Sequence, residues 1–222
     1  MVCYPLDVAY NDLTIDDLSQ RFGLNVVEAR DLFGAAPPVA IGAHLAETLR
    51  EHAPLALAMS TEKARSEMII APILLEARRL RGGAVSLFSG MEFSVDPARG
   101  LNGFCDFLFS LSARQISIEA PVLAVVEAKN ENIRQGIPQC IGEMYAARLF
   151  NERRGGGPPV VFGAVTTGNV WRFVRLRGEN AEVDLAEYYL HEVERIVGVL
   201  VEMLAIGARS IHLEPTLAAA RS

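Results

Sequence analysis

Apolar residues follow two patterns along the chain: short continuous runs, and spacings of three and four residues. Five runs rich in Val, Leu, Phe and Ala are bounded by Gly, Pro or polar residues, and they cover 84–88, 101–111, 122–126, 160–165 and 170–176. Runs of this length predict buried β-strands. Thr166-Thr-Gly-Asn169 separates the last two runs and predicts a hairpin turn.

Stretches with helical spacing lie before, between and after these runs. They predict two short helices split by Gly23, at 13–22 and 26–33, and further helices at 41–52, 61–80, 138–150 and 185–206. Ser60 or Thr61 is expected to cap the helix at 61–80, and Pro72 to kink it. This order predicts a mixed α/β or α+β domain at 59–222 that ends in a helix, with an acidic helical extension at 1–58.

Length and composition favour a soluble cytoplasmic protein. The 222 residues are enough for one substantial core. No apolar stretch approaches the roughly 20 residues that cross a bilayer, and the first residues lack the basic start and apolar centre of a signal peptide. We therefore expect no membrane contact. Cys3, Cys105 and Cys140 form no Cys-x-x-Cys pair, so we expect free thiols rather than a disulfide framework or a zinc site.

The net charge of −6 is unevenly distributed. Residues 1–60 hold eight acids and three bases, which gives −5, so the rest of the chain carries only −1. Basic clusters lie at 78–81, 148–154 and 172–177. Taken singly, each cluster is explained better by solvated surface charge than by phosphate contacts. The acidic total therefore does not exclude a nucleic-acid partner.

Lys129 is one of two lysines in a chain with nineteen arginines. A compact ammonium with mobile donors differs from the planar guanidinium of arginine, so a lysine kept here indicates amine chemistry. It follows the apolar run at 122–126 in Glu127-Ala-Lys129. Because side chains alternate along a strand, Glu127 and Lys129 are expected on one face. The sequence thus predicts an acid and an amine at the end of a sheet.

A single acid, Asp106, interrupts the apolar run at 101–111. A buried carboxylate is costly unless it is paired or binds a metal. If the runs at 101–111 and 121–129 form a hairpin, Asp106 approaches Glu127, and a hard cation such as Mg²⁺ would relieve their repulsion. The alternative is a buried ion pair of Asp106 with Lys129, which leaves Glu127 exposed. Spacing alone does not separate the two.

Glu67 is a third candidate acid. It lies at helical spacing from Ile70, Ala71 and Leu74, on a largely apolar face. A functional position there competes with a plainer one, in which Glu67 pairs with Lys63 one turn earlier.

Asp106, followed by Glu127-Ala-Lys129 on the next run, resembles the signature of the PD-(D/E)XK nuclease superfamily. Such families commonly place a glutamate on the helix before the sheet and a glutamine on the helix after it, which Glu67 and Gln139 match. The chain is similar, over about 61–177, to uncharacterised bacterial members of this fold and to the N-terminal nuclease region of type I restriction subunits.

The pattern departs from the family at two positions. Cys105 precedes Asp106 where many members have proline. Some relatives carry Gln-x-x-x-Tyr on the following helix, whereas Tyr145 lies six residues after Gln139. Tyr145 therefore receives no catalytic role.

The resemblance implies a restriction-endonuclease-like core, with a central mixed sheet flanked by helices. It implies a Mg-dependent endonuclease that hydrolyses phosphodiester bonds, with DNA as the expected partner and Mn²⁺ as a substitute metal. Asp106 and Glu127 would bind the metal, helped by Glu67 and the Ala128 carbonyl. Lys129 would stabilise the transition state and position the water, and Gln139 would orient the water or contact the backbone. A homodimer is one assembly that the family allows.

Two other functions stay open. The first is a catalytically silent module of the same fold that binds nucleic acid or protein. The second is a helix-turn-helix at 13–32 with Gly23 at the turn, although its acidic charge favours a packing pair over DNA docking. The chain has no His-Glu-x-x-His, Gly-x-Ser-x-Gly or Walker-type motif, which argues against zinc peptidase, serine hydrolase and P-loop chemistry.

Overall fold

The computed structural model describes the backbone of residues 9–219 and the side chains of residues 9–211, and it shows an α/β protein. A central mixed sheet of eight strands is flanked by helices. The strands are β1 (Asn25–Ala29), β2 (Ser86–Glu92), β3 (Phe104–Ser110), β4 (Val122–Ala128), β5 (Val160–Thr166), β6 (Val170–Arg177), β7 (Asn180–Asp184) and β8 (Tyr188–Tyr189).

The helices are α1 (Ile15–Phe22), α2 (Ala43–Met59), α3 (Glu62–Arg65), α4 (Ala71–Leu80), α5 (Ile133–Arg153) and α6 (Val193–Ala219). A π-helical turn, Ser66–Ile70, joins α3 to α4. Short 3-10 turns cover Tyr10–Asp12, Pro97–Arg99 and Leu190–Glu192.

The strand order across the sheet is β1-β7-β6-β5-β4-β3-β2, with β8 paired to β6. β4 runs parallel to β5 and β1 runs parallel to β7, and the other neighbours are antiparallel. A parallel pair needs a crossover connection, and α5 supplies it between β4 and β5. This connection brings the start of α5 close to the end of β4.

Two apolar clusters cover the two faces of the sheet. One contains buried residues of α2, α4 and α6 together with Phe109, Phe162 and Trp171. The other contains buried residues of α1 and α5 together with Phe88 and Leu108. Because both faces of the central strands are covered, β4 and β5 are buried along their whole length, as expected for continuous apolar runs.

Most of the predicted elements are confirmed. The five apolar runs form β2 to β6, and Thr166–Asn169 connects the antiparallel strands β5 and β6. Thr61 caps α3, because its Oγ1 accepts a hydrogen bond from the Ala64 N–H at 3.1 Å. The irregularity expected at Pro72 takes the form of the π-helical turn just before it. Proline has no N–H to donate, so the helix changes its hydrogen-bond register there.

Two predictions about the chain ends are wrong. Residues 25–29 form the strand β1 rather than a second helix, so there is no helix-turn-helix at 13–32. Val26 and Val27 are β-branched, and the backbone of this segment pairs with β7. The final helix begins at Val193, not at 185, since β8 and a 3-10 turn come first. The domain boundary at residue 58 stays a prediction.

Cys105 and Cys140 are buried free thiols, whereas Cys3 lies outside the described residues. Among the helices of the described residues, none combines the length and apolarity needed to cross a membrane.

A buried glutamate, Glu76, fastens α4 to the beginning of α2. Its Oε1 accepts hydrogen bonds from the Gly42 N–H and from Arg79 Nη2, both at 2.7 Å, and its Oε2 accepts from Arg79 Nε at 2.8 Å. The Arg79 side chain, together with the Gly42 N–H, lowers the pKa of Glu76 despite its burial. The ionised form is therefore the one that the fold stabilises.

We expect Glu76→Gln to lower the free energy of unfolding at pH 7 by about 1 kcal/mol, because a charge-assisted bond to the Gly42 N–H becomes a neutral one. A carboxyl whose pKa is lower in the folded state stabilises the protein above its unfolded pKa of about 4.3. That contribution disappears as the pH falls through the folded pKa. Urea unfolding at pH 7 and pH 3.5 should show the difference between wild type and variant shrinking. Glu47→Gln, at an exposed position of α2, is the control; an equal loss there would contradict the prediction.

Candidate functional site

Asp106 and Glu127 lie side by side at one end of the sheet. β3 and β4 are antiparallel with Phe107 opposite Val126, which confirms the predicted hairpin and places the two acids at the next pair of positions. Asp106 Oδ2 accepts a hydrogen bond from the Ala128 N–H at 2.8 Å. This bond fixes the Asp106 carboxylate against the end of β4.

Lys129 is the first residue after β4, in the loop that leads to α5. Its Nζ donates one hydrogen bond to Glu127 Oε1 and a second, of 3.0 Å, to Gln139 Oε1. Its backbone N–H donates to the Thr166 carbonyl at 2.8 Å, which holds the residue at the end of β5. Sequence positions 127, 129 and 139 therefore meet around one ammonium.

Gly136 gives the Lys129 side chain its space. A Cβ at position 136 would lie 2.6 Å from Val165 Cγ1 and 3.0 Å from Lys129 Cγ, closer than such carbon atoms approach one another. Only glycine lets α5 pass this near to the end of β4.

Glu127 is buried, with 2% of its surface exposed. Among residues 9–211, no N–H group donates a hydrogen bond to its Oε2, and the neighbouring groups are the carboxyls of Asp106 and Glu143. The alternative prediction, an ion pair of Asp106 with Lys129 beside an exposed Glu127, is wrong: the lysine pairs with Glu127. A buried carboxylate oxygen that receives no hydrogen bond lowers the free energy of unfolding, so stability does not explain why Glu127 is buried here.

Glu143 is a further acid at this site that the sequence prediction missed. Its surface is 0% exposed, and it lies one turn after Gln139 on α5. Oε1 accepts a hydrogen bond from Gln139 Nε2 at 3.1 Å, whereas Oε2 receives none from an N–H group of the described residues and neighbours the Glu127 carboxyl. The available signal was the one that singled out Asp106, a lone acid inside an apolar stretch. Cys140-Ile-Gly-Glu-Met-Tyr-Ala-Ala147 has that pattern.

The carboxylates at this site resist ionisation. Burial raises the pKa of Glu127 and of Glu143, and repulsion between neighbouring carboxylates raises both further. Burial also raises the pKa of Asp106, although its hydrogen bond from the Ala128 N–H opposes the rise. For Lys129, burial would lower the pKa, but the carboxylate of Glu127 outweighs it and the pKa is raised. Lys129 is therefore a protonated donor.

Glu67 lies at the edge of the site. Its side chain is 61% exposed, and it forms a salt bridge of 2.7 Å with Lys63, which confirms the plainer of its two predicted roles. It also lines a cleft of about 270 Å³ together with Ser66, Asp106 and Ala128. Glu67 thus faces the same open space as Asp106 while paired to another residue.

The donor set fits a hard divalent cation at Asp106 and Glu127. Carboxylate and carbonyl oxygens are the ligands that Mg²⁺ prefers, and Mg²⁺ needs only one or two protein carboxylates because it keeps several waters. The Oε2 of Glu127, which receives no hydrogen bond from an N–H group of the described residues, is an available ligand atom. Among residues 9–211, no group of three or more His, Cys, Asp and Glu side chains is placed to hold a metal.

The cleft beside Asp106 continues along the end of the sheet. Glu62 lines both this cleft and a second one, of about 420 Å³, that contains Lys129 and Gln135. Glu131 and Asn132 in turn line both the second cleft and a third, with Arg134 and Arg172. The shared residues show that the three clefts are neighbours, and we call the row of clefts from Asp106 to Arg172 the groove.

Comparison of the chain with protein-family models finds no match, and comparison with curated proteins finds none at a significant level. Functional inference therefore depends on the residues and their geometry.

We expect Glu143→Gln to raise the free energy of unfolding at pH 7 by about 1–2 kcal/mol, because the amide oxygen can keep the hydrogen bond from Gln139 Nε2 while a buried acid, whose pKa burial raises, becomes a neutral group. The matched control is Glu76→Gln. Glu76 is also buried, but both its oxygens have partners, so this change should lower the free energy of unfolding. Urea unfolding at pH 7 measures both. If the two variants lose stability equally, Glu143 has a structural role.

Proposed function

We propose that this protein is a metal-dependent nuclease that hydrolyses phosphodiester bonds, with DNA as its substrate. The observation that carries the proposal is the buried carboxyl of Glu127, whose Oε2 receives no hydrogen bond from an N–H group of the described residues, beside Asp106 and the Lys129 ammonium. Acids that bind a cation and an amine that binds a phosphate are the groups that such hydrolysis requires.

The order of elements supports the resemblance to restriction-endonuclease-like enzymes. The helical segment from α3 to α4 precedes three antiparallel strands, β2 to β4. α5 then leads to β5, which is parallel to β4. Asp106 lies on the second of these strands, and Glu127 and Lys129 lie at the end of the third, as the motif requires.

Asp106 and Glu127 would hold the metal, with the Ala128 carbonyl and Glu67 at the border of the same cleft. When bound, Mg²⁺ supplies a Lewis acid that promotes ionisation of water and stabilises negative charge on the phosphate. Glu67 would first have to leave Lys63 to take part.

Lys129 would act as a hydrogen-bond donor. Its raised pKa keeps the ammonium charged, so it can stabilise the negative charge that builds on the phosphate oxygens and position the attacking water. It would have to exchange its bond to Glu127 for these new contacts.

Gln139 and Glu143 would hold Lys129 in place. The amide of Gln139 accepts from Lys129 Nζ through Oε1 and donates to Glu143 through Nε2. Since Glu143 Oε1 accepts from the amide nitrogen, it fixes which end of the amide faces the lysine.

The second candidate is a catalytically silent module of the same fold that binds nucleic acid or protein. The observation in its favour is that the cations and acids of the cleft satisfy one another, with Lys129 on Glu127 and Lys63 on Glu67. Cytoplasmic location and homodimer formation stay predictions.

We expect wild type to cleave supercoiled or single-stranded DNA with Mg²⁺ or Mn²⁺, and Lys129→Ala to lose about 100- to 1,000-fold in rate, the usual cost of removing one transition-state donor. The other lysine of the chain provides the control. Lys63→Ala removes an exposed ammonium bonded to Glu67 and should keep most of the activity. Gel assays of initial rates give the comparison. Equal cleavage by wild type and Lys129→Ala would refute the nuclease assignment.

Calorimetric titration with Mg²⁺ separates the two candidates. The nuclease should bind the metal, and Asp106→Ala should abolish the binding heat. Absence of Mg²⁺ binding by wild type, with nucleic-acid binding unaffected by Asp106→Ala, would favour the silent module.

A further inference from the structure

Phe104 is an exposed aromatic residue on the same strand as Asp106. Its surface is 66% exposed, and it belongs to neither apolar cluster. Along the first part of β3, Phe104 is exposed and Asp106 is half-buried, whereas Cys105 and Phe107 are buried. Phe104 is therefore the exposed residue of this stretch, about 7 Å from Asp106 along the strand.

Polar groups surround Phe104. Its partner in the sheet is Glu92 of the edge strand β2, which accepts a hydrogen bond from Ser94. Among the described residues, Phe104 stacks on no other ring, unlike Tyr189, the other exposed aromatic, which stacks on His191. The Phe104 ring lies two residues along β3 from Asp106, a proposed metal ligand.

The groove offers few cations for phosphates. Lys63, Lys129 and Arg172 line it, but each forms an ion pair with a glutamate. Arg134 lines the groove without an ion pair among the described residues. A duplex is bound mainly through many phosphate contacts to Lys and Arg. The groove has few free cations to neutralise the two phosphate backbones of a duplex, so binding of nucleic acid needs another source of affinity.

We propose that Phe104 is a stacking platform for an unpaired base next to the cleaved phosphate, and that the site selects single-stranded nucleic acid over duplex. This inference rests on the proposed nuclease function. Bases stack on aromatic rings irrespective of sequence, and each contact contributes about 1–3 kcal/mol of binding free energy. In a duplex, both faces of an internal base are covered by its neighbours, so the ring has nothing to stack on.

Anisotropy titrations of a labelled single strand, and of the same strand in a duplex, test the inference in EDTA, where no metal-dependent cleavage occurs. Wild type should bind the single strand more tightly than the duplex. Phe104→Ala should weaken single-strand binding about 5- to 100-fold and leave duplex binding unchanged. Phe104→Trp should retain it. Phe104→Leu, which keeps the apolar surface but loses the ring, should behave like Phe104→Ala.

Ile116→Ala is the control, since it removes an exposed apolar side chain from the loop between β3 and β4, at the opposite end of these strands from Asp106, and should bind like wild type. Few phosphate contacts also predict a shallow salt dependence, with a slope of log affinity against log salt weaker than about −2. Circular dichroism and sedimentation check that each variant is folded and unchanged in oligomeric state. If Phe104→Ala alters self-association, the ring belongs to an interface between copies and the inference is overturned.

Different results would refute the stacking inference and the proposed nuclease function. If wild type binds duplex as tightly as single strand, or Phe104→Leu binds like wild type, stacking is refuted even when cleavage depends on Lys129. If Phe104 variants lose single-strand binding while Lys129→Ala cleaves like wild type, stacking stands and the nuclease assignment falls.

Discussion

The hydrogen bonds of the Lys129 ammonium to Glu127 and Gln139 hold the candidate site together. Glu127 is buried at the end of β4, where an isolated carboxylate would be strongly destabilising. The ammonium compensates one of its oxygens and, through Gln139, joins the strand to α5. The close approach needs Gly136, because a side chain there would collide with Val165 and Lys129. The Lys129–Glu127 ion pair thus depends on the close packing of α5 that Gly136 allows.

The rest of the fold provides a rigid frame for this polar sheet end. Apolar clusters cover both faces of the sheet, so the ends of β3, β4 and β5 are fixed relative to α5. The N-terminal segment closes the far side of that helix. Tyr10 donates a hydrogen bond of 2.7 Å to the Phe93 carbonyl, and Leu13 occupies the space that a Cβ on Gly142 would need. Glu143, the next residue, is sealed from water as a result.

Three buried glutamates show where the protein gives up stability. Glu76 has partners for both oxygens and joins two helices. Within the described residues, Glu127 and Glu143 each keep one oxygen that no N–H group bonds. Since buried polar groups are normally satisfied, these two acids lower the stability of the fold beside Asp106.

The sequence by itself determined the elements whose signal is local. Apolar runs specified β2 to β6, Thr61 marked a helix start, and the acid-x-lysine pattern brought out Asp106, Glu127 and Lys129 before any geometry was known. These signals work because strand alternation and capping depend on neighbours in the chain.

Only the tertiary structure decided the remainder. Residues 25–29 have helix-compatible spacing, and a partner about 155 positions away makes them a strand. The path of α5 from β4 to β5 decides which carboxylate Lys129 contacts. It also brings Glu143 into hydrogen-bond contact with Gln139. Glu67 matched the motif yet pairs with Lys63. Such outcomes follow from competition among contacts far apart in sequence, which periodicity and spacing do not encode.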